Sequence, residues 1–166
     1  MKRFLTMIAA LLLLLQTAYA AEMFTLKGAG QPTIAATALP NGMQFKGYEG
    51  KPVVLNFFGK ECRYCRREIP ELIALKKRYG NRIGVIGVHV QEPMTPSERS
   101  AMDFDYPVYE YSDNAAIVRH IAGRSGFNGS IPFNIFFNAD GEVAGIIPGL
   151  VDGKQLEAIF SDLLKK

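Results

Sequence analysis

The sequence predicts a three-layer α/β domain built on a central mixed sheet, and three observations carry that prediction. Residues 52–58 (PVVLNFF) and 82–90 (RIGVIGVHV) are nearly continuous apolar runs, too short for helices and rich in β-branched residues, as strands buried on both faces are. Amphipathic helical patterns follow each early strand, which is the signature of parallel strands joined by crossovers. The last third reads strand, turn, strand, helix, so an antiparallel hairpin closes the sheet. The order is β-α-β-α-β-α, then β-β-α.

Each element has its own local reason. Residues 1–20 read as a leader: a basic start at Lys2 and Arg3, an apolar core over 4–15, and small residues Ala18 and Ala20 before a cleavage site. Cleavage near Ala20 leaves residues 21–166 as one exported domain. The alternative is an uncleaved helix anchoring the chain, although the apolar run is short against the roughly 20 residues a bilayer needs. Residues 23–30 hold a short strand. Residues 31–42 read as a loop, with Pro32, Pro40 and the Asn41-Gly42 turn signal, and a further short strand and turn follow over 43–51. From Cys62 to Tyr79 apolar and basic positions alternate at helical spacing, stopping at Gly80-Asn81. Thr95 and Pro96 open a short helix as N-cap and first residue. Residues 106–111 form a short strand, 112–123 a helix with a glycine stop, and 131–138 a strand turning through Ala139-Asp140-Gly141 into 142–149. In the C-terminal helix Leu156, Ile159, Phe160, Leu163 and Leu164 share one face.

The chain of 166 residues, 48% hydrophobic and 21% charged, suits one globular domain and excludes a disordered one. Loss of Lys2 and Arg3 takes the 19 basic residues to 17 against 16 acidic ones, a net charge of +1. That balance carries no nucleic-acid footprint. There is no phosphate loop and no dinucleotide fingerprint, so no small-molecule cofactor is expected.

Both cysteines, Cys62 and Cys65, stand in one C-x-x-C at a strand-to-helix junction. Within a βαβ pattern that is a redox signature. Cys62 falls at the helix N-terminus, where free N–H groups and the macrodipole stabilise a thiolate. Lys60, Arg63, Arg66 and Arg67 add positive charge. Cys65, one turn on, is placed to resolve a mixed disulfide on Cys62. Two bland readings stand beside this one. A zinc site would need further ligands, and His89 and His120 lie in no ligand-like spacing. A structural staple would close a loop too small to remove much unfolded-state entropy. His89 reads as an ordinary strand histidine, and His120 as a helix-end cation favourable to the dipole.

FTLK, GKPVVLNFF, the C-x-x-C, RREIP with Pro70, and GFNGSIPFNIFFNADGEVAG, in that order, resemble the TlpA/ResA-like branch of the thioredoxin superfamily. The resemblance runs from Phe24 to the C-terminus. It implies a thioredoxin-like α/β/α sandwich and an exported thiol:disulfide oxidoreductase whose redox group is the Cys62–Cys65 disulfide. It implies a cis peptide between Ile131 and Pro132, with the Ile131 backbone, Arg63 and Tyr64 meeting an extended substrate. It also implies that Glu68, one helical turn beyond Cys65, lies near the cysteines, where it would exchange a proton; the alternative is an acid placed early in the helix for the dipole. The family's usual direction is reduction of disulfides in exported clients, often apocytochrome c, with re-reduction by a membrane donor of the DsbD/CcdA type. Three departures bear on direction: Glu61 replaces the usual tryptophan, Asn56 stands where thioredoxin has a buried aspartate, and the dipeptide Arg63-Tyr64 has no proline. An oxidase or isomerase of exported proteins, and a thioredoxin-fold binding module or chaperone with a structural disulfide, are the alternatives.

Overall fold

The computed structural model describes residues 21–165. The leader expected over residues 1–20 lies outside the described residues, and among those described no helix is long and apolar enough to cross a membrane.

The central sheet has five strands in the order β6-β5-β4-β7-β8. β4 (Val53–Phe58) and β5 (Gly84–His89) are the two apolar runs, buried at every position. They pair in parallel, as do β5 and β6 (Val108–Glu110), across crossovers that carry α1 (Arg63–Tyr79) and α2 (Pro96–Ala101). β7 (Phe133–Phe137) runs antiparallel to β4, and β8 (Val143–Pro148) returns along it, so the sheet is mixed as expected. α3 (Tyr111–Ser125) links β6 to β7, and α4 (Gly153–Leu163) ends the fold.

Alternation along the strands sorts the core onto two faces. Val54, Phe58, Val85, Val108 and Phe136 face Leu72 and Leu75 of α1 and Leu156 and Phe160 of α4. Leu55, Phe57, Ile86, Val88 and Ile135 face Ile117 and Ile121 of α3 and a second layer of strands. That layer is a three-stranded antiparallel sheet of β1 (Met23–Leu26), β2 (Ile34–Leu39) and β3 (Gly42–Phe45).

β2 corrects the sequence reading, which made residues 31–42 a loop. Ile34 and Ala36 are buried in alternation, but half of the segment is alanine and only Ile34 and Thr37 favour a strand. It becomes a strand because β1 and β3 flank it. Pro40 and Asn41 form the two-residue connection, since Leu39 pairs with Gly42. The helix expected over 112–123 also runs further, to Ser125, where Gly126 takes the left-handed conformation (φ 75°) that a helix stop favours. His120 is not a helix-end cation: its Nδ1 pairs with Glu22 at 3.0 Å, and its ring packs on Phe24.

Candidate active site

β4 delivers the chain to the dithiol. After Phe58 the chain turns through Gly59, whose carbonyl accepts the Cys62 N–H at 3.1 Å. A Cβ at Gly59 would meet the Gln91 amide and the Ile131 Cδ1, the ends of two flexible side chains that would have to move aside. Cys62 is then the N-cap of α1, and its Sγ accepts the Cys65 N–H at 3.1 Å. No acidic residue occupies the first turn, so no carboxylate there repels a thiolate on Cys62. Cys62 and Cys65 form a disulfide with Cα atoms 5.2 Å apart. Cys62 is half-buried, whereas Cys65 is fully buried (0% exposed), so an incoming partner meets Cys62.

Across from the dithiol, the Ile131–Pro132 peptide is cis. The Ile131 carbonyl oxygen lies 3.8 Å from Cys62 Sγ. Arg63 and Tyr64 sit on the exposed first turn of α1, Tyr64 with 53% of its surface open. A groove of about 500 Å³ runs alongside that turn, lined by Lys60, Glu61, Arg66, Ile69, Glu98 and Met102 among others.

The four basic residues do not act alike. Lys60 Nζ is paired with Glu98 at 3.0 Å, and Arg66 Nε donates to the Lys60 carbonyl at 2.7 Å. The Thr95 backbone N–H, and then Lys60, hold the Glu98 carboxyl down at about 2. Arg63 and Arg67 remain exposed. The positive field on the thiol is therefore weaker than four free cations would supply.

Glu68 is fully buried, one turn beyond Cys65 on the same face of α1. Its Oε1 accepts from Val151 N at 2.8 Å and Asn134 Nδ2 at 2.9 Å. Its Oε2 accepts from Asn56 Nδ2 at 2.9 Å. Asn56 Nδ2 also donates to Asn134 Oδ1 at 2.8 Å, while Asn56 Oδ1 is buried without a partner among the described residues. Burial pushes the Glu68 carboxyl above its ordinary value, and the Val151, Asn134 and Asn56 donors pull it back only in part. Glu68 is therefore a buried, hydrogen-bonded carboxyl and not a solvent-facing acid of the first turns.

Sequence reasoning did not find Asn134, Val151, Gly59 or the contacts of His89. Asn134 and Val151 are 66 and 83 residues from Glu68, and no local pattern marks such partners. Asn56 and Asn134 did carry a signal: each is a polar residue inside an otherwise apolar central strand, and they are direct partners in the β4–β7 register.

Comparison with known proteins agrees with this geometry. The AhpC/TSA family profile matches residues 19–146. The chain is 32% identical over 116 residues to the thiol-disulfide oxidoreductase ResA of Geobacillus kaustophilus, an alignment covering 66% of this chain and 62% of that protein. The chain thus spans about three fifths of the length of that curated relative. Among solved structures, a thiol:disulfide interchange protein from Chlorobium tepidum superposes with a TM-score of 0.67 at 23% identity, covering 76% of this chain and 98% of that one. StoA from Bacillus subtilis superposes at 0.60 with 16% identity, over 84% and 96% of the two chains. These neighbours share the thioredoxin-like fold, and by its match to the family profile the chain belongs to the AhpC/TSA family.

Proposed function

We propose that the protein is an exported thiol:disulfide oxidoreductase that reduces disulfides in exported clients. The observation that carries this reading is the disulfide at the N-cap of α1, with Cys62 accessible, Cys65 buried and a cis-proline loop opposite. In the reduced protein the Cys62 thiolate attacks one sulfur of a client disulfide, and the other leaves as a thiolate. Cys65 then loses its proton and attacks the Cys62 sulfur. The Cys62–Cys65 disulfide forms, the second client thiolate departs, and two electrons have passed to the client. In this reading Glu68, buried one turn beyond Cys65 on α1, takes or returns the Cys65 proton, and the Ile131 backbone pairs with an extended client segment. The protein leaves oxidised and needs an external dithiol. A membrane donor of the DsbD/CcdA type and apocytochrome c as client rest on the family resemblance alone.

One observation favours a second direction. The Cys65 N–H aimed at Cys62 Sγ stabilises a thiolate, hence the reduced form, and so raises the potential. An oxidase or isomerase would use that.

The test has two parts. Cys65→Ser should accumulate a client adduct on Cys62, and its absence on a variant that still alkylates at Cys62 would overturn the assignment. The potential of the couple, measured against buffered dithiol mixtures at pH 7, decides direction. A value near or below about −230 mV supports reduction, and one of about −120 to −180 mV supports oxidation or isomerisation. A binding module with a structural disulfide would keep its activity in Cys62→Ser.

A further inference from the structure

The end of the sheet that delivers the dithiol carries a second polar cluster, which the exchange chemistry above does not use. His89 is the last residue of β5 and is fully buried. In register it lies between Phe58 at the end of β4 and Glu110 at the end of β6. Parallel neighbours in register project to one face, here the α1 side, where Phe58 and Val108 pack. Both ring nitrogens of His89 are engaged. Nδ1 lies 2.8 Å from Glu110 Oε2, and Nε2 accepts the backbone N–H of Lys60 at 3.1 Å. With Nε2 an acceptor, Nδ1 bears the proton and donates it to Glu110. Glu110 is held in turn by Arg99 of α2, whose guanidinium reaches Oε1 at 2.5 Å.

We propose that His89, oriented by Glu110, is a positioning residue of the redox site: its Nε2 holds the Lys60 N–H and so the loop that sets Cys62 at the helix N-cap. This rests on the reading of Cys62–Cys65 as the exchanging dithiol. Lys60 stands two residues before Cys62, and its neighbours are tied as well. The Glu61 N–H donates to Gln91 Oε1 at 3.0 Å, and Arg66 holds the Lys60 carbonyl. The hydrogen bond from Cys65 N–H to Cys62 Sγ depends on where this loop leaves the Cys62 backbone. A slack loop weakens that bond. A thiolate, being charged, loses more by this than the neutral disulfide does. The reduced form is then selectively destabilised.

The test compares His89→Leu with His89→Gln in the otherwise intact protein. Glutamine offers an oxygen to the Lys60 N–H and an amide N–H to Glu110, and leucine offers neither. The leucine variant should move the midpoint of the pH profile of Cys62 alkylation up by about one unit, a tenfold change in proton affinity, and lower the potential by about 30 mV. The glutamine variant should stay near the parent. A leucine variant with the parent's profile and potential overturns the proposal, as does a glutamine variant that shifts as far as leucine. Should leucine prevent folding, the unmodified protein decides. Nitrogen-15 NMR should find the His89 proton on Nδ1 and a slowly exchanging Lys60 amide. A proton on Nε2, or a Lys60 amide exchanging like an open loop, overturns the proposal. A parent protein with no measurable potential would instead sink the dithiol reading itself, so the two failures are distinguishable.

Discussion

Replacing Glu68 by glutamine should remove a specific pH dependence from the stability of the protein. Glu68 is fully buried, and its folded-state carboxyl is raised by desolvation. In the unfolded chain it titrates near its ordinary value, about 4.3. Between that value and the raised one, the folded protein holds a proton that the unfolded chain has lost. Stability from this group is therefore complete below about pH 4.3 and is lost as pH rises toward the folded value, at up to about 1.4 kcal/mol per pH unit. Glu98 and Glu157 are shifted downward and act with the opposite sign, so the raw stability curve mixes these effects. The difference between parent and Glu68→Gln cancels them. Urea unfolding of both oxidised proteins from pH 4 to pH 8 would measure it. The parent should lose stability relative to the variant as pH rises, and the difference should level off above the folded value. A parent-minus-variant difference that is flat across this range would refute the raised carboxyl, and with it the proton-exchange role proposed for Glu68.

Three further outcomes follow from the packing. Gly59→Ala pushes aside the ends of the flexible Gln91 and Ile131 side chains, so it should cost only about 1 kcal/mol, the low end for overpacking, while loosening the Gln91 hold on the Glu61 N–H and slowing disulfide exchange; denaturation midpoints and turnover check both. Phe160→Ala empties a fully buried site of α4 against Phe136 and should cost about 3–5 kcal/mol, read as a lower denaturant midpoint with unchanged slope. Lys60→Met should raise the Glu98 carboxyl only part of the way from about 2, because the Thr95 backbone N–H is the larger cause; a carboxyl titration by NMR that returned fully to the ordinary range would contradict the capping box at Thr95.

Much of this protein was legible in the chain. Residues 52–58 and 82–90 announce central strands because burial on both faces leaves no polar position, and β4 and β5 are buried throughout. The C-x-x-C, helix α1 and Pro132 are local signals, and each is where its pattern placed it. β2 was not legible, since residues 34–39 acquire strand character from their partners β1 and β3 rather than from composition. The pairing of Lys60 was not legible for the same reason: nothing near Lys60 in sequence says that Glu98 will meet it.

The sequence by itself determined the α/β order, the dithiol and the helix end on which it sits, because hydrophobic period and cysteine spacing act within a few residues. Tertiary structure alone decided the surroundings of that dithiol. Glu68 became a buried carboxyl with Asn56, Asn134 and Val151 as donors, and His89 became a link between Glu110 and the Lys60 backbone. Those partners lie 12 to 83 residues from the groups they hold. What brings them together is strand register, and desolvation, which makes a paired polar group matter, exists only once the layers have closed.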